Sequence, residues 1–167
     1  KKVKKFKEDE IENITNNSLQ SFINNLNDYE FNLVLIIEHF TKSYTFKRNE
    51  ELKEAVTLWN TNKMDCLRKY GHISDWDVSL ITNMSKLFEK QMNFNDDISG
   101  WNVSNVTNMR NMFDRAYNFN QPLNNWNVSN VTNMRNMFHG AEKFNQPLNN
   151  WDVSNITNMY SMFSNAK

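Results

Sequence analysis

A 25-residue motif recurs four times in this chain without slipping phase, and that recurrence limits the fold more than any other feature. Trp76, Trp101, Trp126 and Trp151 stand 25 apart. Val78, Val103, Val128 and Val153 share the register, as do Ile81, Val106, Val131 and Ile156, and Met84, Met109, Met134 and Met159. Phe88, Phe113, Phe138 and Phe163 follow it, with Phe94, Phe119 and Phe144, and with Ile73, Ile98, Leu123 and Leu148. Polar columns of Ser (79, 104, 129, 154) and Thr (82, 107, 132, 157) hold it too. One copy has too little apolar surface to outweigh its own ordering entropy, so each copy must bury its face on its neighbours. Registered copies therefore stack, and like residues meet like residues.

Within a copy, Leu123, Trp126 and Val128 give the spacing L-x-x-W-x-V, which ends in the alternation of a half-buried strand. Val131, Met134, Met137, Phe138 and Ala141 then recur at three and four, the period of a short helix or 3-10 turn. Phe144 and the Asn145-Gln146-Pro147 turn lead back to the next strand. The spacing predicts an α+β chain: a helical N-terminal region followed by a right-handed leucine-rich-repeat-like solenoid. Each copy of that solenoid would supply one short parallel strand and one short helix or 3-10 turn. Like columns are expected about 5 Å apart on the strand side. Asn105, Asn130 and Asn155 are expected to form an amide ladder that serves turn backbone from the inside, broken by Leu80 in the first copy.

Before residue 71 the periodicity changes. Ile11, Ile14, Phe22, Ile23 and Leu26 fit one amphipathic helix, and Phe31, Val34, Leu35, Ile36 and Phe40 a second. A third starts near Asn49 with Leu52, Val56 and Trp59 inward, and a shorter fourth carries Met64, Leu67 and Tyr70 and ends at Gly71. The domain reading is a helical region over 1–45, available as a docking segment, a helical cap over 46–71 for the open end of the stack, and the four copies over 72–167. The chain starts at Lys1 without a Met and stops at Lys167 inside the fourth copy, so both ends are expected to be cut. Any signal peptide, anchor or further copy would lie outside this sequence.

The run Glu51-Leu52-Lys53-Glu54-Ala55-Val56 to Trp59, then Tyr70-Gly71-His72-Ile73 and Trp76-Asp77-Val78-Ser79, leads into W-x-V-S-N-V-T-N-M-x-x-M-F. From about residue 46 to the end this resembles the BspA-like surface-protein family, whose 25-residue repeat is abundant in mycoplasma-type lipoproteins and also occurs in protists and large DNA viruses. The resemblance implies leucine-rich-repeat-like architecture, display on a cell or virion surface, and adhesion or protein binding. It implies no catalytic residues.

Composition and motifs point away from several chemistries. Formal charge is zero with 19 basic and 19 acidic residues, so no nucleic-acid partner is expected; the Lys1–Lys7 basic run is read as a solvated tail. No window approaches 18 apolar residues, so no membrane span is expected. Cys66 is the only cysteine, which rules out an internal disulfide and a Cys-based metal site; it is read as packed among Met64 and Leu67. His39, His72 and His139 lack metal-ligand spacing, and Gly71, Gly100 and Gly140 are too far apart for a phosphate loop. Asp96-Asp97 replaces the Gln-Pro of later copies and is read as a solvated turn. Sequons at Asn102, Asn105, Asn127, Asn130 and Asn155 come from one duplicated motif, so they say little about glycosylation. No catalytic, cofactor or metal site is expected, and the chain is read as non-enzymatic.

Binding is better sought where the copies differ, because positions released from packing are those that can specialise. The helical side offers Arg110, Arg135 and Tyr160 in one column, with Asp114, Arg115, Tyr117 and His139 beside it. Arg and Tyr anchor interfaces, which favours this side over the strand side with Asn124, Asn125, Asn127, Asn149, Asn150 and Asp152. The leading expectation is a protein-interaction or adhesion module displayed on a surface. The alternative is a structural subunit of a large assembly, such as a minor capsid component of a large DNA virus, that docks through residues 1–45.

Overall fold

Leu52, Ala55, Val56 and Trp59 fall at spacings of three and four and are all buried, which makes one face of helix α1 (Asn49–Thr61) a core face. Glu50 and Glu51 lie in its first turn, where their charge complements the helix dipole. Asn62 ends α1 and caps α2 (Lys63–Tyr70), its side chain accepting from Asp65 N. Gly71, at φ 74°, closes α2 with a left-handed residue. α2 buries Cys66 and Tyr70, whereas Met64, expected inward, is 44 % exposed. The computed structural model describes residues 43–166. The two helices expected between residues 11 and 40, and the docking role given to 1–45, lie almost wholly outside the described residues.

Residues 72–166 form a stack of 25-residue turns joined copy to copy by hydrogen bonds. The leucine-rich-repeat-like solenoid expected from the sequence, with a strand and a helical segment in each copy, is not supported. Among the described residues the copies pair only through isolated parallel bridges, Asn83 with Asn108, Asn108 with Asn133 and Asn133 with Asn158, and no sheet forms. Apart from a 3-10 turn at Ile73–Asp75, no copy contains a helix.

The apolar spacing instead marks a succession of three-residue turns. In the second copy Trp101 N donates to Ile98 O, Val106 N to Val103 O, Met112 N to Met109 O, Ala116 N to Phe113 O and Phe119 N to Ala116 O, at 2.9–3.1 Å. Buried residues three apart thus close turns rather than share a helix face. Left-handed residues prevent helix continuation: Lys86, Asn111, Asn136 and Ser161 form one column, at φ 63, 57, 54 and 53°, and Lys90, Arg115, Gly140 and Asn165 another, at 62, 59, 67 and 59°.

This path points alternate peptides along the stack. Met109, Asn111, Phe113 and Arg115 donate their N–H groups forward to the carbonyls of Asn133, Arg135, Met137 and His139, at 2.7–2.9 Å. The neighbouring copies repeat the pattern, from Met84 to Lys90 and from Met134 to Gly140. On the Trp side the direction reverses: Thr107, Thr132 and Thr157 N donate back to the preceding Thr carbonyl at 2.8–2.9 Å. Three Trp indoles also donate back, Trp101 to Ile73 O, Trp126 to Ile98 O and Trp151 to Leu123 O, at 2.8–3.2 Å.

Aromatic ladders fill the interior. Phe88, Phe113, Phe138 and Phe163 stack with centroids 5.3–5.5 Å apart, and Phe94, Phe119 and Phe144 at 5.8–5.9 Å. Asn105, Asn130 and Asn155 do form a ladder, donating to the carbonyls of Ser79, Ser104 and Ser129 at 2.7–2.8 Å. It runs along the exposed surface rather than inside, and Leu80, which lacks the amide, is 55 % exposed.

Residues 44–49 and the two helices meet the first copy. Phe46 N donates to Asp77 O and Asp77 N to Tyr44 O, while Asn49 Oδ1 accepts from Thr82 N and Asn83 N. Phe46, Trp59 and Tyr70 pack against Trp76 with ring centroids 5.0, 5.9 and 6.2 Å away.

Candidate functional site

On the turn side the forward-bonded peptides fix the side chains that differ between copies. Asn111 and Asp114 are the buried polar residues among those described, and they bond to each other, Asn111 Nδ2 donating to Asp114 Oδ2 at 2.8 Å. The same amide reaches Glu89 Oε1 of the preceding copy at 3.4 Å, and Asn111 Oδ1 accepts from Arg110 Nε at 3.3 Å. Asp114 Oδ1 takes His139 Nδ1 of the next copy at 2.8 Å, with Arg115 Nε 4.0 Å away. Three copies are thus tied by one polar chain, Glu89–Asn111–Asp114–His139. Its buried carboxylate is compensated by an amide and an imidazole, as a buried charge requires. Ser164, the next residue of the His139 column, makes no hydrogen bond to His139 among the described residues.

Arg110, Arg135 and Tyr160 flank this chain. Arg135 Cζ lies 5.2 Å from the Tyr160 ring centroid, a cation–π pair across two copies, and Tyr160 is 67 % exposed. Arg135 Nε is buried and finds no acceptor among the described residues. Arg110 and Arg115 are exposed. The structure brings Arg110, Asp114, Arg115 and His139 into one connected group and Arg135 with Tyr160 into a second. Tyr117 joins neither; its contribution is a carbonyl that accepts from Lys143 N at 3.1 Å. Glu89 and Asn111 are the members that sequence reasoning missed. The column Glu89, Asp114, His139, Ser164, polar in every copy yet never the same residue, was the available signal.

Other candidates resolve into structure. Asp96 is no solvated turn residue: Trp59 Nε1 donates to its Oδ2 at 2.9 Å and Lys63 Nζ to its Oδ1 at 3.0 Å, so it fastens both helices to the stack. Asp97 accepts from Ser99 N, a bond that holds its carboxyl below the usual range. Asp77 is lowered first by the Ser79 side chain and then by Ser79 N, and Asp152 by Ser154 N. Tyr44 OH donates to Glu51 Oε1 at 2.5 Å, which pushes the phenol up to about 12 and the carboxyl down. Burial pushes the Cys66 thiol up to about 11, so it stays protonated and donates to Ala55 O. The sequon side chains are committed as well, Asn102 and Asn127 accepting from Ser104 N and Ser129 N.

Among the described residues a depression of about 500 Å³ runs along the outer face of α1 and another of about 320 Å³ lies beside Asn124, Asn150 and Asp152. In the second, Asn124 Oδ1 already accepts from Asn150 N and Asp152 Oδ1 from Ser154 N. Among the described residues no group of three or more His, Cys, Asp or Glu is placed to hold a metal ion, and no helix is long and apolar enough to cross a membrane.

No curated protein and no solved structure matches the chain. A family model does match, over residues 66–167, the stretch that holds the four Trp-Met-Phe copies and the polar chain between them. The chain belongs to the family described as Mycoplasma protein of unknown function, DUF285.

Proposed function

We propose that this chain is a non-enzymatic, surface-displayed protein-binding module of the adhesion type, which works without a cofactor by presenting the turn-side face rigidly. The observation that carries the reading is the Arg135–Tyr160 pair, an exposed aromatic and a guanidinium ordered across two copies beside the Glu89–His139 chain. The repeated Trp, Val, Met and Phe columns are taken up by stacking, whereas these positions vary between copies, and Arg110 and Tyr160 are exposed. Arg and Tyr held rigid lose little entropy on binding, which makes them effective anchors. The motif W-x-V-S-N-V-T-N-M-x-x-M-F, which resembles the BspA-like repeat, supports surface display. The capsid-subunit alternative rests on residues 1–45, and no observation among the described residues favours it.

The test is a bead-adhesion assay on cultured cells with the chain coupled to the beads. Replacing Arg110, Arg135 and Tyr160 together by Ala is expected to cut adhesion about tenfold or more, while Tm moves by no more than about 2 °C. Adhesion equal to that of the unmodified chain would reject the turn-side face as the binding surface.

A further inference from the structure

The whole chain balances 19 basic against 19 acidic residues, yet charge on the repeats is segregated. Between residues 72 and 166, Lys and Arg stand at 86, 90, 110, 115, 135 and 143, and all but Lys143 lie in the turn segments that bond forward to the next copy. They form two rows along the stack, Lys86, Arg110 and Arg135 in one and Lys90 and Arg115 in the other. The same segments hold two carboxylates, Glu89 and Asp114, and both are recessed. Their side chains are 23 and 12 % exposed, against 51 % for Lys86 and for Arg115, and Lys90 and Arg110 are exposed as well. Each carboxylate is also engaged sideways, Glu89 by Lys86 at 3.7 Å and Asp114 by His139 at 2.8 Å. A partner approaching this face therefore meets ammonium and guanidinium groups first.

The main chain leaves recognition to those side chains. Every N–H from Met109 to Arg115 is donated within the stack, and every carbonyl from Met109 to Asp114 accepts there. An added strand finds no backbone group to pair with along this segment. Three of the five cations are Arg, whose planar fork matches a carboxylate with two parallel N–H···O bonds. Both rows are short. After Arg135 the next position is Tyr160, whose ring centroid lies 5.2 Å from the guanidinium. After Arg115 it is Gly140, against which the Arg115 stem packs so closely that a Cβ would stand 3.4 Å from its Cγ. A uniformly charged polymer gains most from a stripe that continues, whereas a bounded patch with an Arg and a Tyr at its edge has the composition of a protein interface.

We infer that the partner of this face is an acidic protein segment, a run rich in Asp and Glu laid along the stack with its carboxylates on the two cationic rows. The inference rests on the turn side being the binding surface and names the chemistry received there. Complementary charge of this kind sets partner choice and association rate, and it turns away basic segments.

The experiment measures binding of a fluorescein-labelled oligoglutamate peptide by anisotropy. Lys1, Lys2, Lys4, Lys5 and Lys7 are replaced by Gln throughout, so that this second basic run does not compete. The variant is Lys86→Asn, Lys90→Asn and Arg115→Asn, which installs the residue that Asn111, Asn136 and Asn165 already place in those left-handed columns. Saturable binding is expected, weakened at least about tenfold in the variant while Tm moves by no more than about 2 °C. Absence of saturable binding, or equal binding by the variant, would overturn the inference. So would a sulfated oligosaccharide or a single-stranded DNA of equal charge that displaces the peptide at lower concentration than unlabelled oligoglutamate. In the bead assay, adhesion lost when Arg110, Arg135 and Tyr160 become Ala but kept by the Asn variant would reject the acidic partner and leave the turn-side reading intact.

Discussion

Trp101, Trp126 and Trp151 each do two jobs, and both were set by their place in the 25-residue register. Trp126 is 2 % exposed, and its indole donates to Ile98 O of the preceding copy at 3.2 Å. Trp126→Ala removes the largest side chain from one layer and leaves that carbonyl without its donor. The expected loss is about 3–5 kcal/mol, measured by urea denaturation. A negligible loss would contradict the core assignment. Burial at this scale was legible, because a column that repeats Trp at every copy must fill the same volume each time. The abundance of Asn was harder to read. Asn108 Oδ1 accepts from Arg110 N at 3.0 Å, Asn130 Nδ2 reaches Ser104 O at 2.7 Å, and Asn120 Oδ1 accepts from Asn145 N at 2.9 Å. One residue type performs three backbone-satisfying tasks, and nothing in its identity says which.

At the scale of elements the sequence misled, for a definable reason. Apolar residues three and four apart suit a helix, but they also suit consecutive turns that close at every third residue, and only the backbone between them tells the two apart. The left-handed positions decide it. Asn111, Asn136, Gly140 and Asn165 are residue types that tolerate such φ values, which was the usable hint; Lys86, Lys90, Arg115 and Ser161 concealed it. Replacing Asn136, at φ 54°, by Val should therefore cost about 1–2 kcal/mol, whereas Asn136→Gly should cost less than about 0.5 kcal/mol. Chemical denaturation of the two variants checks this, and equal losses would contradict the left-handed turn. The helices α1 and α2 were legible because their bonds are local, with Asn62 and Gly71 as recognisable end signals.

For the whole molecule, stability should grade along the stack. Copies two and three are covered on both sides, whereas the fourth leaves Val153, Met159 and Phe163 about half exposed. In a stack where each copy contacts only its neighbours, opening begins at the uncovered end. Hydrogen-exchange mass spectrometry is expected to show the weakest protection over 150–166 and the strongest over 98–138. Uniform protection would mean that the stack opens as one unit.

The sequence by itself determined that four copies stack in register and which columns form the core. Those conclusions need only the period and the side-chain volumes. What the tertiary structure decided is the backbone path and everything that hangs on it: turns in place of strands and helices, a hydrogen-bond ladder with one direction on the turn side, the Asp96 fastening, and the Glu89–Asn111–Asp114–His139 chain. The physical reason is that each forward peptide bonds to a residue about 25 positions away. Its direction is fixed by a partner that local sequence does not contain.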